Sequence, residues 1–500
     1  MSTAPVEEST QDVPSKSERE VAAPLVVIAS NDDPTLRSGR EAIGGQIGRH
    51  ALLLSSWFTP LRLLVLLSAL GFLAGYVMRT PCHASGFSGT IYPHMCYSDI
   101  PPLYQGRGFA DGLFPFLQTS PGTEVLEYPV LTGLFMWVAS ELTGTSGTVG
   151  VRGIEFFDWN ALMLAVCLIV VVIATAKTVR RRPWDAAMVA LAPGVILTSL
   201  INWDLFAMAF TAVAFALWSR RRAGWAGVFI GLGAASKFYP LLLLGPLFLV
   251  CLRAGRMREF WTATAGALVS WSVVNLPFML ANFDTWSHFY TFSAKRGQDF
   301  GSIWYALSFA HIDINPDALN KYATGSFLVL CAAIAVLAFA APRRPRLASL
   351  CFLVIAAFCL TNKVYSPQYV LWLIPFAVMA RPRWRDFLIW QFCEAIYFMS
   401  VWLFLEQYNG GDGKGIPGPW YAASIWLHVL GTLFFAFMVV RDVLWPKYDP
   451  IRTDGHPENL DDPGGGPVDG APDKYRRHRH QSSTSAPPPQ EHEYDLEVRT

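Results

Sequence analysis

The chain has 500 residues, of which 52% are hydrophobic and only 15% charged, with 18 tryptophans. That balance excludes a single large water-soluble core and points to many membrane spans. The net charge of +1 offers no basic field for nucleic acid, and it conceals a sorting of charges by position that carries the topology.

Residues 1–56 are rich in Ser, Glu, Pro and Asp, lack helical periodicity and read as a disordered cytoplasmic tail. Ala22 to Ser30 is too short an apolar run for a secretory signal. The first span is predicted from Phe58 to Met78, about twenty residues, enough to cross roughly 30 Å of hydrocarbon. Further apolar runs follow at Phe156 to Ala176, Trp184 to Leu200, Leu205 to Trp218, Gly224 to Ser236, Tyr239 to Leu252 and Phe260 to Ala281. After a polar loop come Tyr322 to Ala341, Leu347 to Leu360, Tyr365 to Ala380, Phe387 to Leu405 and Trp420 to Val440, giving about twelve spans.

Arginines punctuate these runs. Arg180 to Arg182, Arg220 to Arg222, Arg253 with Arg256 and Arg258, Arg343 with Arg344 and Arg346, and Arg381 with Arg383 and Arg385 fall at every second boundary. Basic residues in short loops stay on the cytoplasmic side, which places both termini inside and the alternate boundaries outside. The outward boundaries hold residues 79–155, Asn202-Trp203-Asp204, Lys237, residues 282–321, Asn362-Lys363 and residues 406–419. Tyr128 to Leu142 is apolar enough to span, yet a crossing there would invert every later arginine group. It is expected as a re-entrant or interfacial helix of the first outer segment, the alternative being a thirteenth crossing with the amino terminus outside. Residues 442–500, rich in Pro, Gly, Asp and His, read as a second disordered cytoplasmic tail. Its Arg476 to His480 cluster is either solvated or in contact with anionic lipid. The fold expected is all-α and polytopic, with a membrane domain over residues 57–441.

Cys167, Cys251, Cys331, Cys351, Cys359 and Cys393 lie on predicted spans, where a thiol is an apolar filler. Cys82 and Cys96 share the first outer segment and either form a bridge or remain free. No CxxC or HExxH spacing occurs, and no cofactor or metal site is indicated. Just beyond Cys96 lies Tyr97-Ser98-Asp99-Ile100-Pro101-Pro102, a polar turn after the first span. There Asp99 is placed to serve as a water-facing general base, or else as a turn residue accepting backbone N–H bonds.

The runs CYSDIPPLYQGRGFADGLFPF, LEYPVLTG, INWDLFAMAFTAVAFALWSRRR, GVFIGLGAASKFYPLLLLGPL, FYTFSAKRGQDFGSIWY and NKVYSPQYVLWLIP, taken together and in this order, resemble glycosyltransferase family 87 over roughly residues 57–440. These are actinobacterial membrane enzymes of the GT-C fold. The resemblance implies transfer of a sugar, often mannose and in some members arabinofuranose, from a polyprenyl-phosphate donor to a lipid or glycan acceptor outside the cytoplasm. Asp99 resembles the acidic residue that GT-C enzymes place in their first outer loop.

Such a transfer needs a base for the acceptor hydroxyl and cations for the departing phosphate. Lys237 and the pair Lys295-Arg296 are the first candidates for the phosphate. Lys237 could instead snorkel to the interface, and Lys295-Arg296 could be an exposed basic turn. Lys363, Ser366 and Gln368 in NKVYSPQY form a second polar cluster, and Asp204 with Asn202 a third, unless Asp204 only starts a helix near the positive dipole end. Arg107, at the cavity or anchoring its loop to headgroups, and Tyr128 of LEYPVLTG complete the candidate substrate-binding set. One base acting on a β-linked donor gives inversion; a double displacement would need a second carboxylate, for which Glu127, Asp111 and Asp158 are candidates. No DxD occurs in an outer loop, so no divalent metal is invoked. Glu394, an acid within a span, needs a partner or water that the sequence does not name. Two other classes share the layout: a twelve-helix secondary transporter and a non-catalytic envelope-assembly protein. A carrier would place its binding groups near the midplane of two repeated halves, whereas here they gather at helix ends.

Overall fold

The computed structural model describes residues 59–312, 314–411, 413–455 and 461–474. The chain divides into Met1–Arg62, of which only the last four residues are described, and Leu63–Thr500, which holds everything that follows. The amino-terminal tail and the Arg476 to His480 cluster lie outside the described residues.

Among the described residues the protein is all-helical and has no strands. The principal helices are α1 (Pro60–Val77), α2 (Ile100–Gly106), α3 (Val130–Leu142), α4 (Val149–Thr178), α5 (Asp204–Ser219), α6 (Ala223–Ser236), α7 (Leu244–Ala254) and α8 (Met257–Ala281). They continue with α9 (Phe283–Lys295), α10 (Pro316–Ala340), α11 (Leu347–Thr361), α12 (Val370–Ala380), α13 (Trp384–Tyr408) and α14 (Gly418–Leu444). Six are long and apolar enough to cross a membrane: α1, α4, α8, residues Ala318–Ala340 of α10, α13 and α14. The other apolar helices are shorter. The 16 residues of α5, for example, rise about 24 Å at 1.5 Å per residue.

One predicted span is not a helix of its own. Trp184 to Leu200 is broken into Pro183–Ala186, Ala187–Ala190 and Pro193–Thr198. Pro193 lacks an amide hydrogen and forces Ala192 out of the helical region, to φ −60° and ψ 128°. The segment Tyr128 to Leu142 does contain a helix, α3, of 13 residues.

α6 packs against α8 at backbone distance. A methyl group on Gly227 would lie 1.9 Å from the carbonyl oxygen of Ala263, and one on Gly231 would lie 2.2 Å from that of Ala267. Small residues four apart are what allow apolar helices to pack this closely in lipid, where dispersion must supply the attraction. That contact fixes the end of α6, where Lys237 emerges.

The carboxy-terminal region departs from the expectation of a disordered tail. Beyond α14, Pro446–Tyr448 forms a turn, and residues 449–455 and 461–474 cover the helix ends that carry the arginines. Arg346 donates to both oxygens of Asp449, at 2.8 and 2.9 Å, and to the carbonyls of Met379 and Ala380. Arg253 grips both oxygens of Asp473 at 2.8 Å. Arg344 meets Asp461 at 2.6 Å and Arg180 meets Asp469 at 2.9 Å. Asp462 accepts from the amide of Leu347 at 2.8 Å, and the indole of Trp218 donates to Gly465. Composition misread this segment because its order comes from ion pairing with arginines a hundred or more residues away, not from an apolar period. Asp386 and Asp442 likewise both bind the buried Arg381.

Removing one partner of such a pair leaves the other charge buried and alone. Arg346→Met is expected to cost about 3–5 kcal/mol, seen as a large fall in the thermal midpoint of the detergent-solubilised protein. The exposed Arg222→Met is expected to stay within about 0.5 kcal/mol.

Candidate active site

The chain carries the site to the opposite ends of the helices that hold the arginine network. α5 begins at Asp204 and ends beside Trp218, and α6 ends at Lys237. α11 starts after Arg346 and ends before Asn362, while α13 starts beside Arg381 and ends near Trp402 and Tyr408. At these far ends lies a cavity of about 730 Å³, lined among others by Asp99, Tyr128, Lys237, Arg296, Asp299 and Gln368.

Asp99 precedes α2 at its N-cap position but makes no capping bond. The reason is in the sequence. An N-cap side chain bonds the amides of the second or third helical residue, and here these are Pro101 and Pro102, which have none. Ser98 Oγ takes the free amide of Ile100 at 3.2 Å instead, and the Asp99 amide is held by the carbonyl of Ile201 at 2.8 Å. The carboxylate is left to the cavity, where Tyr97 Oη donates to its Oδ1 at 2.7 Å. Burial pushes its pKa up to about 6, with Asp204 adding to the rise; the Tyr97 hydrogen bond, Lys237 and Arg296 oppose it. The turn itself is pinned by a Cys82–Cys96 disulfide and by the buried Arg79, which donates to the carbonyls of Met95 and Leu197.

Lys237 leaves α6 in an extended conformation, with φ −156° and ψ 149°. Its ammonium lies 3.1 Å from Asp204 Oδ1 and 5.4 Å from the ring centre of Tyr128, with Tyr369 and Trp372 at 6.0 Å. It therefore faces the cavity wall, in an aromatic setting that favours a cation. Asp204 is fully buried behind it, accepts from the Trp372 indole at 2.7 Å, and leaves Oδ2 without a partner. Arg296 follows α9 and pairs with Asp299 at 3.1 Å. Asp299 also accepts from Ser366 Oγ at 3.3 Å.

The structure separates three of the other candidates, Lys295, Lys363 and Arg107, from the cavity. Lys295 is exposed and does not line it. Lys363 is buried, but its ammonium donates to the carbonyl of Ala294 at 2.9 Å, in the last turn of α9, where a cation suits the helix dipole. Arg107 is held by Glu127 through two bonds of 2.6 and 2.8 Å and by Glu124 at 2.6 Å. It therefore braces the first outer segment rather than entering the cavity. Gln368 does line the cavity, and its Oε1 is buried without a partner.

Sequence reasoning passed over Tyr97 and Asp299, although both stand inside the quoted motifs. It also missed an aromatic wall in which Tyr97 packs on Tyr92 and on Trp402, with ring centres 5.8 and 4.9 Å apart. Glu394 finds its partners in Tyr365 Oη at 2.8 Å, Trp390 Nε1 at 3.1 Å and Thr432 Oγ1 at 3.0 Å. Through Tyr365 it anchors the loop that bears Ser366 and Gln368. Of the further carboxylates, Glu127 reaches the cavity but is engaged by Arg107. Asp158 is bound by Tyr76 and His83, and neither it nor Asp111 lines the cavity.

This constellation joins comparison with known proteins. Residues 127–361 match the family model of Glycosyltransferase family 87. The protein is a multi-pass membrane protein in which residues 127–361 are similar to this glycosyltransferase family. That region contains Tyr128, Asp204, Lys237, Arg296 and Asp299, while Asp99 precedes it and Gln368 follows it. Among solved structures the chain is similar to ArnT from Cupriavidus metallidurans, crystallised with undecaprenyl phosphate. The identity is 15%, with 74% of this chain and 77% of that one covered and a TM-score of 0.39. No curated protein matches the chain.

The disulfide ties the turn before Asp99 to the short helix Thr80–Ala84 that follows α1. Replacing Cys82 and Cys96 together with Ser is expected to cost about 3 kcal/mol, the chain-entropy value for a loop of this length. Reductant should lower the melting temperature of the wild type to that of the double variant, and leave the variant itself unmoved.

Proposed function

We propose that this family 87 protein transfers a sugar, with mannose the first to test, from a polyprenyl-phosphate donor to a hydroxyl of a lipid or glycan acceptor on the extracytoplasmic side. The observation that carries the proposal is that Asp99, Lys237 and Arg296 line one cavity, although more than a hundred residues separate the acid from each cation. Two features support an outward-facing site. The cavity lies at the ends opposite the arginine groups, and the segment bearing Asp99 holds a disulfide, a bond that persists in oxidising compartments.

In the proposed step Asp99 takes the proton of the acceptor hydroxyl as that oxygen attacks the anomeric carbon. The bond from this carbon to the phosphate oxygen breaks, and the polyprenyl phosphate departs with the bonding pair. Lys237 and Arg296 offset the charge that develops on it. A single displacement is favoured because the other carboxylates at the cavity are occupied: Glu127 by Arg107 and Asp299 by Arg296 and Ser366. A β-linked donor then gives an α-linked product. The family resemblance leads us to expect the GT-C arrangement.

Asp99 must be ionised to act, and its pKa stands at about 6. The value of kcat/KM for labelled polyprenyl-phosphate mannose and envelope lipid is therefore expected to rise about tenfold per pH unit below 6 and to level off above it. Asp99→Asn should lose about 10²- to 10⁴-fold in turnover with its melting temperature preserved. Solute uptake into vesicles without any sugar transfer would overturn the assignment.

A further inference from the structure

We propose that Asp204 is a positioning residue: it fixes the ammonium of Lys237 at the cavity wall, where that group meets the phosphate of the donor. The inference rests on the transferase reading above and deepens it.

Asp204 cannot bind substrate as it stands. Its side chain is wholly buried and does not line the cavity. What it reaches is Lys237, through Oδ1 at 3.1 Å, and the indole of Trp372, which donates to the same oxygen at 2.7 Å. Trp372 also lies beside the ammonium, with Tyr128 and Tyr369. One carboxylate thus holds both the cation and one of the rings around it. A lysine on a flexible four-carbon stem does not keep one geometry unaided. Here the rings confine it laterally and Asp204 fixes its depth. Asp204 can hold that place because it opens α5, and its own amide is held by Asn202 Oδ1 at 3.2 Å.

A residue that merely starts a helix would satisfy the same hydrogen bonds, so the test must read Lys237 and the cavity. The charged and titratable groups that act on Asp99 are Tyr92, Tyr97, Tyr128, Lys237, Asp204 and Arg296. Asp204 is the carboxylate among them, and its charge raises the pKa of Asp99. Three readouts apply to the full-length protein in detergent. The first needs no turnover: amine acetylation by acetic anhydride, mapped by mass spectrometry. Asp204→Asn is expected to label Lys237 at least tenfold faster than wild type, and an unchanged rate overturns the positioning role whatever the enzyme's activity. The second is kinetic. Asp204→Asn should raise the KM for the polyprenyl-phosphate sugar at least tenfold, with a smaller change in kcat, and shift the acid limb of the pH profile downward. Lys237→Met should shift that limb upward. The third is the double variant, which should lose no more than Lys237→Met alone; independent, multiplying losses overturn the proposal. Asp204→Glu retains the charge and serves if the asparagine variant fails to fold. It displaces the anchor by one methylene, so donor KM should rise at least threefold while the acid limb stays in place. An unchanged KM there also overturns the proposal. Wild-type protein that transfers no sugar refutes the transferase reading, while the acetylation result still decides the Asp204–Lys237 pairing.

Discussion

An ion placed in an apolar bundle costs several kcal/mol unless a counter-charge, a dipole or water meets it, and this protein meets that demand differently at the two ends of its helices. At the arginine end, guanidinium groups are matched by carboxylates, several with two bonds each: Arg346 with Asp449, Arg253 with Asp473, Arg381 with Asp386 and Asp442. At the cavity end the matching is deliberately incomplete. Asp99 has a tyrosine hydroxyl as its hydrogen-bond partner, and Lys237 shares Asp204 with an indole. A saturated network makes a rigid base, while an unsaturated one retains capacity for a substrate that arrives with its own charge.

That division accounts for the gathering of the cavity-lining polar groups at helix termini. α5, α6, α11 and α13 each have one end in the arginine network or beside it and the other at the cavity. Clamping one set of ends holds the opposite set in register, at the tolerance that substrate positioning requires. The first outer segment, which lacks a long helix, is held by other means. These are the Cys82–Cys96 bridge, the buried Arg79 and the Arg107 pairs with Glu124 and Glu127, of which only Glu127 reaches the cavity. Gly301 shows how tightly the cavity floor is built, since a methyl group there would lie 1.9 Å from the hydroxyl of Tyr397.

The family 87 match spans the cations but not the acid, since it begins at residue 127. Asp99 joins the site through folding. Its amide and the hydroxyl of Ser98 both donate to the carbonyl of Ile201, immediately before the Asn202-Trp203-Asp204 turn, so the Asp99 turn is tied to the matched region beside the cavity. The aromatic wall of Tyr92, Tyr97 and Trp402 joins residues that precede the matched region to one that follows it.

What the sequence determined by itself is what local composition and periodicity can encode. The all-helical membrane class follows from apolar runs, and the sharing of helix ends between two faces follows from the arginine spacing. The proline pair after Asp99 even contains the reason that its carboxylate is free, because a residue without an amide hydrogen cannot be capped. Tertiary structure alone decided which charges find each other. From the chain Lys363 belongs to an outer polar cluster and Arg107 stands either at the cavity or as an anchor of its loop; in the fold one closes the end of α9 and the other braces a loop. The acidic carboxy-terminal segment read as a solvated tail, yet it seals the arginine end. Pairing depends on three-dimensional distance between residues far apart in the chain, and neither periodicity nor composition carries that information.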